Sequence, residues 1–340
     1  MMKELQLRKA ELNSKKLSTI YFGGGTPSLL NESELNLIFE TMHKYFEVDS
    51  GAEITLETNP DDLHKEQLRT MRSVGINRLS IGIQSFRDED LKLMNRVHTS
   101  EEAISSIKRS QDFGIANLSI DLIYGIPELS NDDWKKNLEQ ALAFGVQHLS
   151  AYCLTVEPRT ALFQLVKKGV SKPVNEEEAS QHFEALMKFA SENGFDHYEI
   201  SNFAKEHFIA RHNSSYWFGE SYLGIGPSAH SFDGERRKWN VANNNLYISK
   251  LSNNTTAYEE ELLNERERYN EMIMTGLRTK WGVKLEDVKS RFGVETLFHL
   301  EKEVQKWLDS SHLELLDGKV FTNGRGKLLA DRIASDLFLV

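Results

Sequence analysis

Cysteine, positive charge and long apolar runs are all scarce in this chain of 340 residues. The single cysteine, Cys153, excludes an internal disulfide and any metal site that needs several thiolates from this chain. One lone thiol fits a reducing compartment, so the expected location is the cytoplasm. No apolar stretch approaches the roughly 18 residues that a membrane span requires. The N-terminus is charged and helical in pattern, which predicts that no signal peptide is present.

The balance of charged residues indicates which class of molecule the chain is not expected to bind. Lysine and arginine number 41 against 51 aspartates and glutamates, which gives a net charge of −10 and a pI of about 5.6. A general nucleic-acid binder usually shows a basic face, so we expect no nucleic-acid partner. The length predicts one large or two modest domains.

Residues 19–27 read Thr-Ile-Tyr-Phe-Gly-Gly-Gly-Thr-Pro, four β-favouring residues that run into three glycines. This pattern predicts a buried strand that ends in a loop. Glycine lacks the Cβ that would keep a ligand away from the backbone, and it tolerates a positive φ. A tight turn without a ligand is the alternative interpretation of a glycine triplet.

Strands and helices alternate strictly up to about residue 202. Near-continuous apolar strands between amphipathic helices predict a parallel sheet, in open or barrel form, with ligands at the carboxyl ends of the strands. The predicted strands cover residues 19–22, 53–57, 78–84, 118–124, 148–156 and 197–202. The predicted helices cover residues 1–16, 32–46, 63–74, 88–97, 101–113, 134–144 and 176–193.

Polar residues recur near the carboxyl ends of five consecutive predicted strands. Each of them alone could cap a helix or satisfy a loop amide. A charged group at a buried strand end costs several kcal/mol without a partner, and a ligand is a natural partner, so a ligand site is predicted on this rim. The rim residues are Gly24, Gly25, Thr26, Glu57, Gln84, Ser85, Asp121, Tyr124, Tyr152 and Thr155, with Arg96 and His98 close behind the third strand.

Residues 211–230 and the C-terminal hundred residues differ in sequence pattern from the alternating strands and helices before them. The first segment combines aromatic residues, glycines, His212 and His230 without clean periodicity, which suits either a loop around a flat ligand or a packed aromatic corner. We place a domain boundary after residue 240, between 1–240 and 241–340. Helices over 259–279, 297–309 and 327–338 with a hairpin at Gly318 predict a small winged-helix-like unit. Because this unit is not strongly basic, we interpret it as a cap and not as a DNA-binding module.

Five motifs in this order resemble one known family over essentially the whole chain. They are Tyr-Phe-Gly-Gly-Gly-Thr-Pro-Ser-Leu-Leu (21–30), Thr-Leu-Glu-Thr-Asn-Pro (55–60), Ser-Ile-Gly-Ile-Gln-Ser-Phe (80–86), Leu-Met-Asn-Arg-Val-His (93–98) and Asp-Leu-Ile-Tyr-Gly-Ile-Pro (121–127). On these motifs the chain is similar to the radical S-adenosylmethionine (SAM) family of oxygen-independent coproporphyrinogen III oxidases and their relatives. The resemblance implies an α/β fold, a partial (β/α)6 TIM-like barrel whose first strand is absent, with a small C-terminal α+β winged-helix-like domain.

The resemblance also implies roles for the rim. Arg96 would pair with the carboxylate of SAM, a task for a planar two-pronged cation. The methionine end of SAM would be held by Gly24, Gly25 and Thr26. Its ribose and remaining polar atoms would be bound by Glu57, Gln84 and Asp121.

His212-Asn213-Ser-Ser-Tyr216 looks like the His-Asn-x-x-Tyr motif of the heme-chaperone branch of this family. The resemblance implies heme as a second ligand, with Tyr216 at the heme site and His212 as a candidate ligand of the heme iron, a role that suits neutral imidazole. A hydrogen-bonded structural histidine is the alternative. The implied partners are heme, heme-accepting proteins and a membrane-associated acceptor.

One family feature is missing from this sequence. Members carry Cys-x3-Cys-x2-Cys after the first barrel strand, and those thiolates hold a [4Fe-4S] cluster that cleaves SAM. Here only Cys153 is present, expected as a small buried side chain in an apolar strand. We expect the first strand and the cluster loop to lie upstream of Met1, in a longer form of the protein. The alternative is a degenerate member of the family that keeps SAM or heme binding. In either case this chain cannot ligate the cluster.

These features leave three candidate functions. The preferred one is a heme chaperone that binds heme and SAM and transfers heme to hemoproteins. The alternative is radical decarboxylation of coproporphyrinogen III in porphyrin biosynthesis, so whether the chain is an enzyme stays open. An isomerase or aldolase with a phosphate at residues 23–26 is the third, but it gives Arg96 and Asp121 no ready role.

Overall fold

The computed structural model describes residues 1–12 and 14–340. The chain divides into two compact units according to the density of its internal contacts. The glycine-loop unit comprises Tyr21–Glu32 and Ile54–Ala210. The helical-cap unit comprises Met1–Ile20, Ser33–Glu53 and Arg211–Val340. The boundary after residue 240 stays a prediction.

The alternation of strands and helices that the sequence predicts is present. The strands are β1 (Lys16–Phe22), β2 (Glu47–Thr58), β3 (Arg78–Gln84), β4 (Asn117–Tyr124), β5 (His148–Cys153), β6 (Asp196–Glu199), β7 (Asn202–Ala204), β8 (His230–Phe232), β9 (Arg236–Asn240), β10 (Tyr258–Leu262), β11 (Val283–Lys284), β12 (Leu313–Leu316) and β13 (Lys319–Thr322). The helices are α1 (Met2–Arg8), α2 (Glu32–Tyr45), α3 (Lys65–Ser73), α4 (Asp88–Leu93), α5 (Ser100–Asp112), α6 (Asn131–Ala143), α7 (Ala161–Lys167), α8 (Glu176–Glu192), α9 (Arg211–Trp217), α10 (Asn244–Ser252), α11 (Glu265–Leu277), α12 (Leu285–Asp309), α13 (Gly324–Lys327) and α14 (Ala330–Asp336).

The main sheet is a curled half-barrel with the strand order β1-β2-β3-β4-β5-β7-β6. Strands β2 to β5 pair in parallel, as the buried apolar runs predict. Ser80, Ser119 and His148 stand in one register row across β3, β4 and β5, so their side chains project from the same face. Asp121 follows Ser119 by two residues and therefore shares this polar face.

The single strand predicted over 197–202 is wrong. The chain turns after β6 and returns as β7, which pairs antiparallel with both β5 and β6. The carboxylate of Glu199 stabilises this turn by accepting hydrogen bonds from the backbone N–H of Ser201 and the side-chain amide of Asn202. A short apolar run carries no local sign of such a reversal.

Several predicted boundaries are also corrected. Helix α1 ends at Arg8 instead of residue 16, and part of the irregular segment 211–230 is helix α9. The predicted helix 259–279 begins only at Glu265, because β10 takes its first residues and Asn264 then forms a capping box with Glu267. Cys153 is exposed at the end of β5 and is not a buried small hydrophobe.

The C-terminal residues form a small mixed α/β module with its own apolar core. A three-stranded antiparallel sheet, β11-β13-β12, packs with helices α11, α12 and α14. Tyr269, Ile273, Val288 and Ile333 are fully buried in this core. In residues 1–12 and 14–340 no helix is both long and apolar enough to cross a bilayer.

Candidate functional sites

The glycine loop after β1 is held by the carboxylate of Glu57. Tyr21 donates its hydroxyl to Glu57 Oε1 at 2.7 Å, and the backbone N–H of Gly24 donates to Oε2 at 3.1 Å. Gly24 and Gly25 have φ values of +76° and +66°, which side-chain-bearing residues rarely adopt. A Cβ at either position would meet no atom within 4 Å, so the loop leaves open space above its backbone. Thr26 is exposed at the end of this loop.

Asp121 lies on the polar face of the sheet, two residues nearer the carboxyl end of β4 than Ser119, which shares a register row with Ser80 and Glu57. The hydroxyl of Ser80 donates to its carboxylate at 3.3 Å, and Ser150 also hydrogen-bonds to it. Burial, and then the neighbouring negative charge of Glu57, raise the pKa of Asp121 to about 6. Two carboxylates near each other in a partly dry site favour a cationic ligand.

Arg96 presents an unpaired cation near these carboxylates. Its half-buried guanidinium makes no hydrogen bond or ion pair with any residue that the structure describes. Burial lowers the pKa of Arg96, and the negative charges of Asp121 and Asp61 act in the opposite direction. Removal from water without a partner is unfavourable for a charged group, so this position suits an anionic ligand group.

Gln84 ends β3 in a strained conformation. Its φ is +64°, a region that non-glycine residues seldom occupy, and its side chain is buried. Its side chain folds back over the strand, so that Nε2 lies 2.8 Å from the position that a Cβ at Gly82 would occupy. The pairing of β3 with β4 shifts register at the same point. Strain of this kind occurs often at ligand sites.

Other residues of the predicted rim make contacts within the protein, and their binding roles stay predictions. Ser85 donates its hydroxyl to Asp90 at 2.6 Å and is fully buried. His98 shares a 3.1 Å hydrogen bond with the carbonyl of Ile83, and burial lowers the pKa of its imidazole. Tyr124 stacks on Phe183 with ring centroids 5.9 Å apart. These hydrogen bonds and this ring contact stabilise the structure around β3 and β4.

A second cluster forms around His212 in the helical-cap unit. The buried carboxylate of Glu53 accepts the backbone N–H groups of Arg211 at 3.0 Å and His212 at 2.9 Å, which fixes the start of α9. His212 Nδ1 lies 2.8 Å from Thr19 Oγ1. Its Nε2 lies 2.9 Å from the hydroxyl of Tyr216, one helical turn further on. Both ring nitrogens are therefore hydrogen-bonded.

Tyr216 is the outer member of this pair. Its side chain is 41% exposed, and its ring makes edge contacts with His212 at 5.0 Å and Tyr222 at 4.6 Å. Partial burial and the neighbouring Tyr222 raise the pKa of Tyr216 to about 12. His230 is exposed and stacks on Trp239, with ring centroids 6.3 Å apart.

Sequence reasoning missed the residues that hold these sites in place. Tyr21 and Ser80 fix Glu57 and Asp121. Thr19 and Glu53 fix His212. The period of two along β1 and β2 could have placed Tyr21 and Glu57 on one face with their strands paired. Nothing local signals the contact of Thr19 or Glu53 with α9.

Comparison with known proteins places the chain in a family. The sequence model of the protein family described as the radical SAM superfamily matches residues 3–141. The family model described as the HemN C-terminal domain matches residues 263–329. The heme chaperone HemW of Bacillus subtilis is 32% identical over 328 residues, which cover 95% of this chain and 86% of that protein. The chain belongs to the radical SAM family of HemW and oxygen-independent coproporphyrinogen III oxidases. HemW of Mycobacterium tuberculosis is also 32% identical, over 98% of this chain and 84% of its own length.

A solved structure supports the fold assignment. Coproporphyrinogen III oxidase (HemN) from Escherichia coli, described as a radical SAM enzyme, superposes with a TM-score of 0.81 at 19% identity. The match covers 98% of this chain and 81% of that one. The partial-barrel fold predicted for the family is therefore confirmed, together with the additional C-terminal domain.

The iron–sulfur cluster of the radical SAM family does not fit the residues present. Its three cysteine ligands cannot come from a sequence with one cysteine, and that cysteine ends β5 at an exposed position. In the described residues no group of three or more histidine, cysteine or carboxylate side chains is arranged to hold a metal ion.

Proposed function

We propose that this chain binds heme as cargo and transfers it to heme-accepting proteins, with SAM bound at the glycine loop. The observation that carries the proposal is similarity to proteins named heme chaperones over nearly the whole chain. The paired His212 and Tyr216 on α9 support it, because both side chains belong to types that bind heme iron. A membrane-associated acceptor and the absence of a nucleic-acid partner remain part of the proposal.

SAM fits the residues of the glycine-loop unit. Its carboxylate would pair with the guanidinium of Arg96, which has no partner in the described chain. Its methionine end would lie against the open backbone of Gly24 and Gly25, beside Thr26. Glu57, Gln84 and Asp121 would face the sulfonium and ribose, where two neighbouring carboxylates favour positive charge. When bound, SAM supplies this sulfonium centre.

The alternative function is oxidation of coproporphyrinogen III. Reductive cleavage of SAM, which that reaction requires in the family, depends on the cluster that the residues of this chain do not hold. The similarity to proteins named heme chaperones over nearly the whole chain favours the heme-chaperone function over this alternative.

The test is a titration of the full chain with ferric heme, followed by its Soret absorption. We expect stoichiometric binding by the wild type, and subsequent transfer when a heme-free globin is added as acceptor. A His212→Ala, Tyr216→Phe double variant should lose both. A folded wild-type protein that binds no heme, or binds it without releasing it to any acceptor, would refute the proposal.

A further inference from the structure

The hydrogen bonds of His212 determine which atom of the pair can reach a heme iron. Thr19 Oγ1 occupies Nδ1 at 2.8 Å, and the hydroxyl of Tyr216 occupies Nε2 at 2.9 Å. An imidazole has only these two nitrogens, and iron binds through the lone pair of one of them. Iron can therefore reach His212 only after Thr19 or Tyr216 has been displaced.

His212 is also anchored from its backbone. Glu53 is 7% exposed and accepts the N–H of His212 and of the preceding Arg211, so the start of α9 cannot move without breaking two charge-assisted hydrogen bonds. A group that is fixed at its backbone and at both ring nitrogens is suited to hold another side chain in place. It is poorly suited to swing towards a large, flat ligand.

Tyr216 offers a more accessible atom. Its side chain is 41% exposed, and its hydroxyl oxygen keeps a lone pair that the bond to His212 does not use. The edge contacts with His212 and Tyr222 fix the plane of its ring. Two residues further on, the exposed ring of Phe218 lies 4.6 Å from that of Trp281, so more aromatic surface follows Tyr216 along the chain.

We propose that the phenolic oxygen of Tyr216 is the axial ligand of ferric heme and that His212 is the positioning residue that accepts its proton. This inference rests on the proposed function, because it specifies how the cargo is held. An anionic oxygen is a hard ligand that suits ferric iron, and tyrosine is an established type of heme ligand.

The proton and the bonds balance without an oxidant. The O–H bond of Tyr216 breaks, an Fe–O bond forms as the axial water of the incoming ferric heme is released, and the proton moves along the existing hydrogen bond to Nε2 of His212. The imidazolium then donates one N–H to the phenolate oxygen and the other to Thr19 Oγ1. Both contacts are already present, so binding requires no rearrangement of the pair.

The experiment compares ferric heme complexes of the full chain by absorption and electron paramagnetic resonance. The wild type should show a phenolate-to-iron charge-transfer band and a high-spin ferric signal. Tyr216→Phe should lose both features and bind heme at least about tenfold more weakly, whereas His212→Ala should keep the band with about tenfold weaker binding. Tyr258→Phe, which alters another exposed tyrosine of the same unit, should match the wild type.

The outcomes separate this inference from the proposed function. Binding by the wild type with a spectrum that Tyr216→Phe leaves unchanged would overturn the tyrosine ligand, as would loss of iron coordination in His212→Ala alone. A His212→Gln variant, which keeps a hydrogen-bonding side chain on α9, repeats the second test if the alanine variant fails to fold. No heme binding by the folded wild type would refute the proposed function itself.

Discussion

The glycine-loop unit and the helical-cap unit differ in whether the polar groups of their candidate sites are paired within the protein. Arg96 has no partner in the described chain, and Asp121 has a pKa raised by burial and by Glu57. His212, in contrast, uses its backbone N–H and both ring nitrogens in hydrogen bonds. The first site carries electrostatic cost that a ligand could relieve, and the second is already satisfied within the protein.

This difference predicts different behaviour towards ligands. A site with unpaired charge gains affinity mainly by pairing that charge, so single charge deletions should act on binding more than on folding. A site built from satisfied hydrogen bonds contributes to the fold, so deletions there should lower stability as well. Three substitutions test the contrast, in order of decreasing expected effect.

Arg96→Ala should reduce SAM affinity about 100-fold, equivalent to about 2.7 kcal/mol, because the carboxylate of SAM would lose a charge-assisted partner. The free energy of unfolding should change little, since the guanidinium has no partner in the described residues. Isothermal titration with SAM and denaturant unfolding measure the two quantities. Lys92→Ala, an exposed cation of the neighbouring helix α4, is the control. Unchanged SAM binding in the Arg96 variant would remove Arg96 from the site.

Glu53→Ala should lower the free energy of unfolding by about 2 kcal/mol, because two backbone N–H groups at the start of α9 lose their acceptor. Heme affinity should fall with it, since His212 is no longer fixed. Asp49→Ala is a matched control on the same strand, where an exposed carboxylate pairs with Lys16 and should contribute little. Equal stability of the two variants in urea unfolding would contradict the anchoring role of Glu53.

Asp121→Asn tests the raised pKa of about 6 against the value of about 3.9 for an unperturbed aspartate. Since the folded protein binds this proton more tightly, the group favours folding below about pH 4, and this stability is lost as the pH rises through about 6. Allowing for solvent screening, the wild type should lose about 1–2 kcal/mol over this range relative to the variant. Denaturant unfolding at pH 4 and pH 7.5 measures it, with Asp112→Asn as an exposed control. A wild type and variant with parallel pH profiles would show that Asp121 is not perturbed.

Much of the fold could be predicted from local pattern. The apolar strand 78–84 is observed as β3 with the same bounds, and the helices that begin near Ser100 and Glu176 lie within one or two residues of their predicted limits. Glycines and capping residues at the ends of these helices indicate their boundaries in the sequence. The reversal at β7 and the strand β10 were not predictable, because pairing with distant strands decided them.

The candidate sites were predicted only in outline. Residue types and order indicated Glu57, Arg96, Asp121 and His212, and their binding roles stay predictions. The structure shows that Ser80 contacts Asp121, that Ser85 and His98 form hydrogen bonds within the protein, and that Tyr21 orients Glu57. Each of these distinctions depends on which way a side chain points and what it meets there.

The sequence by itself determined the alternation of strands and helices, the glycine loop and the family, because these follow from short-range periodicity, backbone freedom and ordered motifs. Only the tertiary structure decided the state of His212. Its ring partner Thr19 is 193 residues away and its backbone anchor Glu53 is 159 residues away. Hydrogen bonds over such separations leave no local pattern, so the environment of a functional group emerges only when the chain has folded.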